Sequence, residues 1–117
     1  MKTLILLFMF AFSMGIFMSS YANAGESVSG RQITSIGCHE VNGICYVSID
    51  GAAFGANEGC ANVPTNQFRW DDADQPNGKR TFAALYAAYI ASKKVDVYIE
   101  GCTTQSFPAV KYFNVHD

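Results

Sequence analysis

Hydrophobic and polar positions alternate along the chain with two different periods, and the change between them is sharpest from Asn77 to Glu100. In its first part Phe82, Leu85, Tyr86, Tyr89 and Ile90 stand at i, i+3, i+4, i+7 and i+8, the spacing that gathers side chains on one helical face. Ala83, Ala84, Ala87, Ala88 and Ala91 fill the intervening positions with the best helix former. After Lys93-Lys94 the period becomes two, with Val95, Val97 and Ile99 on one side and Asp96, Tyr98 and Glu100 on the other. A helix leading straight into a strand predicts a sheet for both to lie against.

Period-two segments elsewhere supply the other strands. Arg31–Ile36 reads as the first and Cys45–Asp50 as the second, with Cys45, Val47 and Ile49 on one face. Asn42-Gly43 between them predicts a two-residue hairpin turn. That register pairs Glu40 with Cys45 and leaves Cys38 diagonal to Cys45, within reach if a bulge forms at Gly37. The segment 51–62, with Gly51, Gly55 and Gly59, reads as an irregular loop; it has neither GxGxxG nor a P-loop lysine. Thr65–Trp70 is the third strand and Ala109–Val115 the last, with Phe68 and Trp70 facing opposite to Arg69. Asp71, Asp72 and Asp74 precede the helix without the EF-hand register, and they read as capping and solvation, with Asp74 as cap and Pro76 in the first turn. The element order is β-rich with a single helix between strands three and four. It is the order of an OB-fold, a five-stranded Greek-key barrel whose one end the helix closes. A ferredoxin-like arrangement needs a second helix, and no other stretch has the period.

The N-terminus carries a different pattern. Lys2, the apolar run Leu4–Phe17 and Ala22-Asn23-Ala24 form the three parts of a secretory signal peptide. The run is shorter than the roughly 20 residues that span a bilayer. Residues 1–24 are therefore expected to be removed, leaving 25–117 as one domain, secreted to the periplasm or the exterior with no membrane span. Removal takes away Lys2 and no acid, so the net charge moves from −2 to −3. That balance speaks against nucleic acid as a partner.

Cysteine spacing fits the same compartment. Cys38, Cys45, Cys60 and Cys102 are separated by 6, 14 and 41 residues, which lacks the close pairs of a zinc site and predicts two disulfides. Of the three connectivities, Cys38–Cys45 with Cys60–Cys102 is favoured, because the first pair flanks the hairpin turn. Neither a metal nor another cofactor is expected. Catalytic chemistry is not indicated either: His39 and His116 lie far apart, His116 at an end expected to fray, and no serine sits in a nucleophile elbow. Glu58, Asp96, Glu100 and the Asp71–Asp74 group have nothing in the sequence to pair them. The remaining classes are binding and assembly. Tyr46, Trp70, Tyr86, Tyr89, Tyr98 and Tyr112 are aromatic faces of the kind that bind sugars, and Trp70, ending a strand beside an acidic loop, is expected as an exposed platform. A structural or protein-binding subunit without a sugar ligand is the alternative.

Ser29-Gly30 followed by Ile33-Thr34, Tyr46–Gly51, Phe82-Ala83-Ala84-Leu85-Tyr86, Lys94–Tyr98, Cys60 and Gly101-Cys102 form a set of short segments whose order and spacing count together. In these the chain resembles the B subunit of subtilase cytotoxin and the small secreted proteins like it. The resemblance covers most of residues 25–117 and implies an OB-fold. It further implies a homopentameric ring that binds cell-surface sialylated glycans and carries a catalytic A subunit. Ser29 falls where that family holds sialic acid with a serine. The family's glycan-contacting tyrosine falls at Ile99, one position past Tyr98. Ser29, Trp70 and Tyr98 are thus the glycan-binding candidates.

Overall fold

The structure is a computed structural model describing residues 25–117; the expected signal peptide, residues 1–24, lies outside the described residues. Five strands and one helix follow in the order β1 (Glu26–His39), β2 (Ile44–Ile49), β3 (Gln67–Trp70), α1 (Pro76–Ile90), β4 (Lys94–Cys102) and β5 (Pro108–His116). The strands form a sheet that closes on itself in the order β1-β2-β3-β5-β4. β1 makes closure possible because it serves two neighbours. Its first half pairs antiparallel with β4, from Glu26↔Ile99 to Gln32↔Lys94, and its second half with β2, from Ile33↔Ile49 to His39↔Ile44. Register shifts at Val28/Arg31 and Ile33/Ser35 let the strand bend between the two. The strand starts five residues before the expected Arg31: Glu26–Val28 pair with β4, and Ser29-Gly30 form the bulge that follows.

Inward-facing residues fill the space inside. Val28, Ile33, Val47, Ile49, Phe68, Trp70, Val95, Val97 and Ile99 meet Phe54 from the loop after β2 and Leu85 and Ala88 from α1. Alternation decides which residues enter: Val95, Val97 and Ile99 are buried while Asp96, Tyr98 and Glu100 are not. The helix differs from expectation. Its buried residues are Gly78, Leu85 and Ala88, whereas Tyr86, Tyr89 and Ile90 are exposed. Spacings of seven and three residues still trace one face, but small residues define much of it: a side-chain carbon on Gly78 would meet the Asp72 carbonyl, in the turn before the helix, at 1.9 Å. Pro76 opens the helix as expected. Asp74 does not cap it: Gln75 occupies that place and makes no side-chain capping bond.

Both disulfides pair as expected, Cys38 with Cys45 and Cys60 with Cys102. The hairpin turn is not the two-residue one. Glu40–Gly43 form a four-residue turn, closed by the Gly43 N–H donating to the His39 carbonyl at 3.2 Å. Cys38 consequently lies directly opposite Cys45, with Cα atoms 3.9 Å apart, and the bulge falls at Ile33/Ser35 instead of Gly37. The second disulfide ties the loop between β2 and β3 to the end of β4. Glu58 supports the same junction: it is 1% exposed, and its Oε2 accepts the Gly101 N–H at 2.9 Å. No helix among the described residues is long and apolar enough to cross a membrane.

Candidate functional site

The outer face of β1, β4 and β5 gathers most of the chemistry that the sequence singled out. Outward positions form cross-strand rows. Ser27, Tyr98 and Tyr112 make one, since Ser27 pairs with Tyr98 and Tyr98 with Tyr112. Asp96 and Asn114 make the next, and Lys94 and His116 the third. In the first row the two phenol rings stack, with centroids 4.8 Å apart and planes 8° from parallel. Tyr112 is 62% exposed and presents most of the flat surface.

The second row is built around Asp96. Its Oδ1 accepts the Gly30 N–H at 2.7 Å and lies 3.0 Å from Nε2 of His116. Gly30 is turned toward it by the bulge in β1, where its φ of +67° is one that a side chain would strain. The Gly30 hydrogen bond, followed by that of His116, holds the Asp96 carboxyl below its usual range. Asp96 in turn raises the His116 imidazole above its ordinary value, with help from the Asp117 carbonyl. Partial burial pushes the Tyr98 hydroxyl up, and Glu100, Tyr112 and Glu58 add to that.

Of the three glycan-binding candidates, two meet here. Ser29 is exposed, in the bulge beside Gly30 and one position past the Val28↔Val97 pair, two residues from the Ser27 that pairs with Tyr98. The third, Trp70, is elsewhere. It is 4% exposed, so it is not the exposed platform expected of it. Parity explains this: Cys45↔Trp70 and Val47↔Phe68 are inward pairs, and the Trp70 indole N–H donates to the Gly78 carbonyl at 3.1 Å under the first turn of α1. Ile99 is also inside, fully buried, so the tyrosine on the outer face of β4 is Tyr98. His116 is likewise not frayed but part of β5. Tyr112 is one of the aromatic faces that the sequence offers and Asp96 one of its unpaired carboxylates; alternation places both outward, but their pairing with Tyr98 and His116 comes from the β4–β5 register.

A cleft of about 610 Å³ borders this face. It exists because β5 pairs with β3 only at Arg69↔Ala109, which leaves the later part of β5 without a strand on that side. Tyr112 belongs to both the stacked pair and the cleft wall, which Arg80, Thr81, Thr103 and Lys111 also line. Asp71, at the rim, is occupied by the Thr104 N–H and hydroxyl at 3.0 and 2.9 Å. The arrangement offers an exposed aromatic surface, an ion pair with fixed hydrogen bonds and a cleft of mixed charge, lined by Asp71, Asp72, Arg80 and Lys111, joined by one tyrosine. No family model, curated protein or solved structure matches this chain.

Proposed function

We propose that this protein is a secreted, non-catalytic binding module of OB-fold type that recognises cell-surface glycans through the outer face of β1, β4 and β5. The strand order β1-β2-β3-β5-β4, with one helix between β3 and β4, supports the fold reading. The observation that carries the function is the stacked Tyr98–Tyr112 pair beside the Asp96–His116 ion pair and Ser29. Sugar recognition needs an apolar face for the ring's C–H bonds and a few fixed polar groups for its hydroxyls. Tyr112 gives the first, and Asp96, His116, Asn114 and Ser29 give the second. Arg80 and Lys111 in the adjoining cleft can meet a carboxylate, beside the acidic Asp71 and Asp72, and the sialylated glycan is the ligand that the sequence resemblance implies. A homopentamer would raise the weak affinity of one shallow site by multivalency, and a catalytic A subunit would be its cargo.

A glycan array with wild-type protein and Tyr112→Ala tests this. The wild type should bind sialylated glycans, and the variant should lose roughly tenfold or more in affinity. Its fold should persist, because Tyr112 is mostly exposed. Absence of binding to any glycan, with a monomeric mass by light scattering, would instead favour a protein-binding subunit.

A further inference from the structure

A second surface on the opposite half of the sheet carries chemistry that the glycan reading does not use. Arg69 points outward from β3 in a row that runs Gly37, Tyr46, Arg69, Ala109 across four strands. Its guanidinium carbon lies 3.6 Å from the centre of the Phe107 ring and 5.6 Å from that of Tyr46. Two neutral amides fix its edge: Nε donates to Gln67 Oε1 at 2.8 Å, and Nη1 donates to Gln105 Oε1. Gln67 is itself held by Ser48, its Nε2 donating to the hydroxyl at 3.3 Å. Tyr46 is placed by its neighbours too. It packs against His39 with centroids 5.5 Å apart, and its hydroxyl lies so close over Gly37 that a side-chain carbon there would meet it at 2.4 Å.

What this arrangement lacks is a counter-ion. The ion pairs among the described residues are Lys93–Asp117 and His116–Asp96, and neither involves Arg69. Arg69 is half-buried, and burial lowers its pKa. Its hydrogen bonds to protein use Nε and Nη1 only, so the Nη2 N–H groups have no partner among the described residues. A cation oriented by neutral groups, partly withdrawn from water and left with free donors, is matched by a carboxylate from outside. The setting further selects the source. The cleft beside Tyr112 and a smaller one near His39 are not lined by Tyr46, Gln67, Arg69, Gln105 or Phe107. An outward row that combines Arg, Tyr and Phe has the composition of a protein-interface hot spot.

We propose that the outer face around Arg69, Tyr46 and Phe107 docks an acidic segment of a partner protein, with a carboxylate of that segment seated on the Arg69 guanidinium. Gln67 and Gln105 hold the guanidinium in place before the partner arrives, which reduces the ordering cost of binding. The surface centres on Arg69, Tyr46 and Phe107, and it borders the cleft beside Tyr112 at Ala109.

The test uses the ¹⁵N-labelled protein and three probes: the blocked peptide acetyl-Gly-Glu-Gly-Glu-Gly-amide, the same peptide with Gln for Glu, and methyl glucuronoside. The Glu peptide should shift the Arg69 Nε–H signal and the backbone amides of residues 67–69 and 105–107 in a saturable way. The Gln peptide should shift them at least tenfold more weakly. Arg69→Gln should abolish the response, and Arg69→Lys, which keeps the charge but not the fork, should weaken it about tenfold. Both variants should keep the wild-type amide spectrum away from these residues. If the glucuronoside saturates the same signals at lower concentration than the Glu peptide, the face is a sugar-acid site and the proposal fails. It fails also if Glu and Gln peptides act alike, or if no probe moves Arg69.

Discussion

Replacing Cys60 and Cys102 with serine together should be among the most damaging changes outside the core, and the size follows from where the bond sits. The bond joins positions 42 apart in sequence and connects the loop after β2 to the end of β4, which is not a neighbour of β2 in the sheet. Closing a loop of that length removes enough freedom from the unfolded chain to stabilise the fold by about 4 kcal/mol. Cys38–Cys45 closes a separation of only seven between residues that the hairpin already pairs, and the same reasoning gives it about 2 kcal/mol. A domain of this size is stable by only about 5–15 kcal/mol in total. The first loss should therefore lower the Tm by roughly 15–30 °C, at about 4–8 °C per kcal/mol. The assay is thermal unfolding followed by circular dichroism on oxidised protein, comparing wild type with each paired Cys→Ser variant. The order of the two effects matters more than either value. A Cys60/Cys102 variant less than about 1 kcal/mol below wild type, or more stable than the Cys38/Cys45 variant, would show that the longer loop closure does not stabilise the fold.

Other perturbations probe the junctions and the site. Leu85→Asp places an unpaired carboxylate at a fully buried position against the strands and should cost more than the fold's total stability, leaving the chain unfolded; a folded, soluble variant on a sizing column would show that α1 does not close the core. Glu58→Ala removes the acceptor of the buried Gly101 N–H and should cost about 1–3 kcal/mol in urea unfolding, while Glu58→Gln, which keeps an acceptor oxygen, should cost less. The Asp96–His116 pair gives a pH dependence of definite sign. The raised His116 value means that its contribution is complete below its ordinary 6.5 and is lost as pH rises through the raised folded value. The lowered Asp96 value means that its contribution is present above 3.8 and is lost as pH falls through the lowered folded value. NMR titration should find the His116 midpoint above 6.5 in wild type and lower in Asp96→Asn; an equal midpoint in both would contradict the pairing.

Strand alternation was the most legible feature of this sequence. It placed Val95, Val97 and Ile99 inside, and the cysteine spacings suggested both disulfides. The helix was harder to read because hydrophobicity and burial part company there. Tyr86, Tyr89 and Ile90 carry the stronger apolar signal, yet the buried positions are Leu85, the small Ala88, and Gly78, where the Asp72 backbone leaves no room for a side chain. Asn42-Gly43 suggested the tightest turn, but facing cysteines at 38 and 45 require two more residues between the strands. Trp70 illustrates a third limit: an aromatic beside acids looks exposed until its parity and the Gly78 carbonyl above it are known. The candidate site depends on strands distant in sequence. Ser29 and Tyr98 could be named individually, while Tyr112, Asp96 and His116 join them only through the β1–β4–β5 register. Arg69 gave no signal, since its aromatic partner Phe107 comes from the loop between β4 and β5.

The most direct test of the proposed glycan face is a titration of isotopically labelled protein with 3′-sialyllactose, following backbone amides and tyrosine rings together. The account predicts saturable shifts at Ser29, Tyr98, Tyr112 and Asn114, with Arg69 and Phe107 unmoved. Shifts confined to any other surface, or none at saccharide concentrations in the millimolar range, would contradict it.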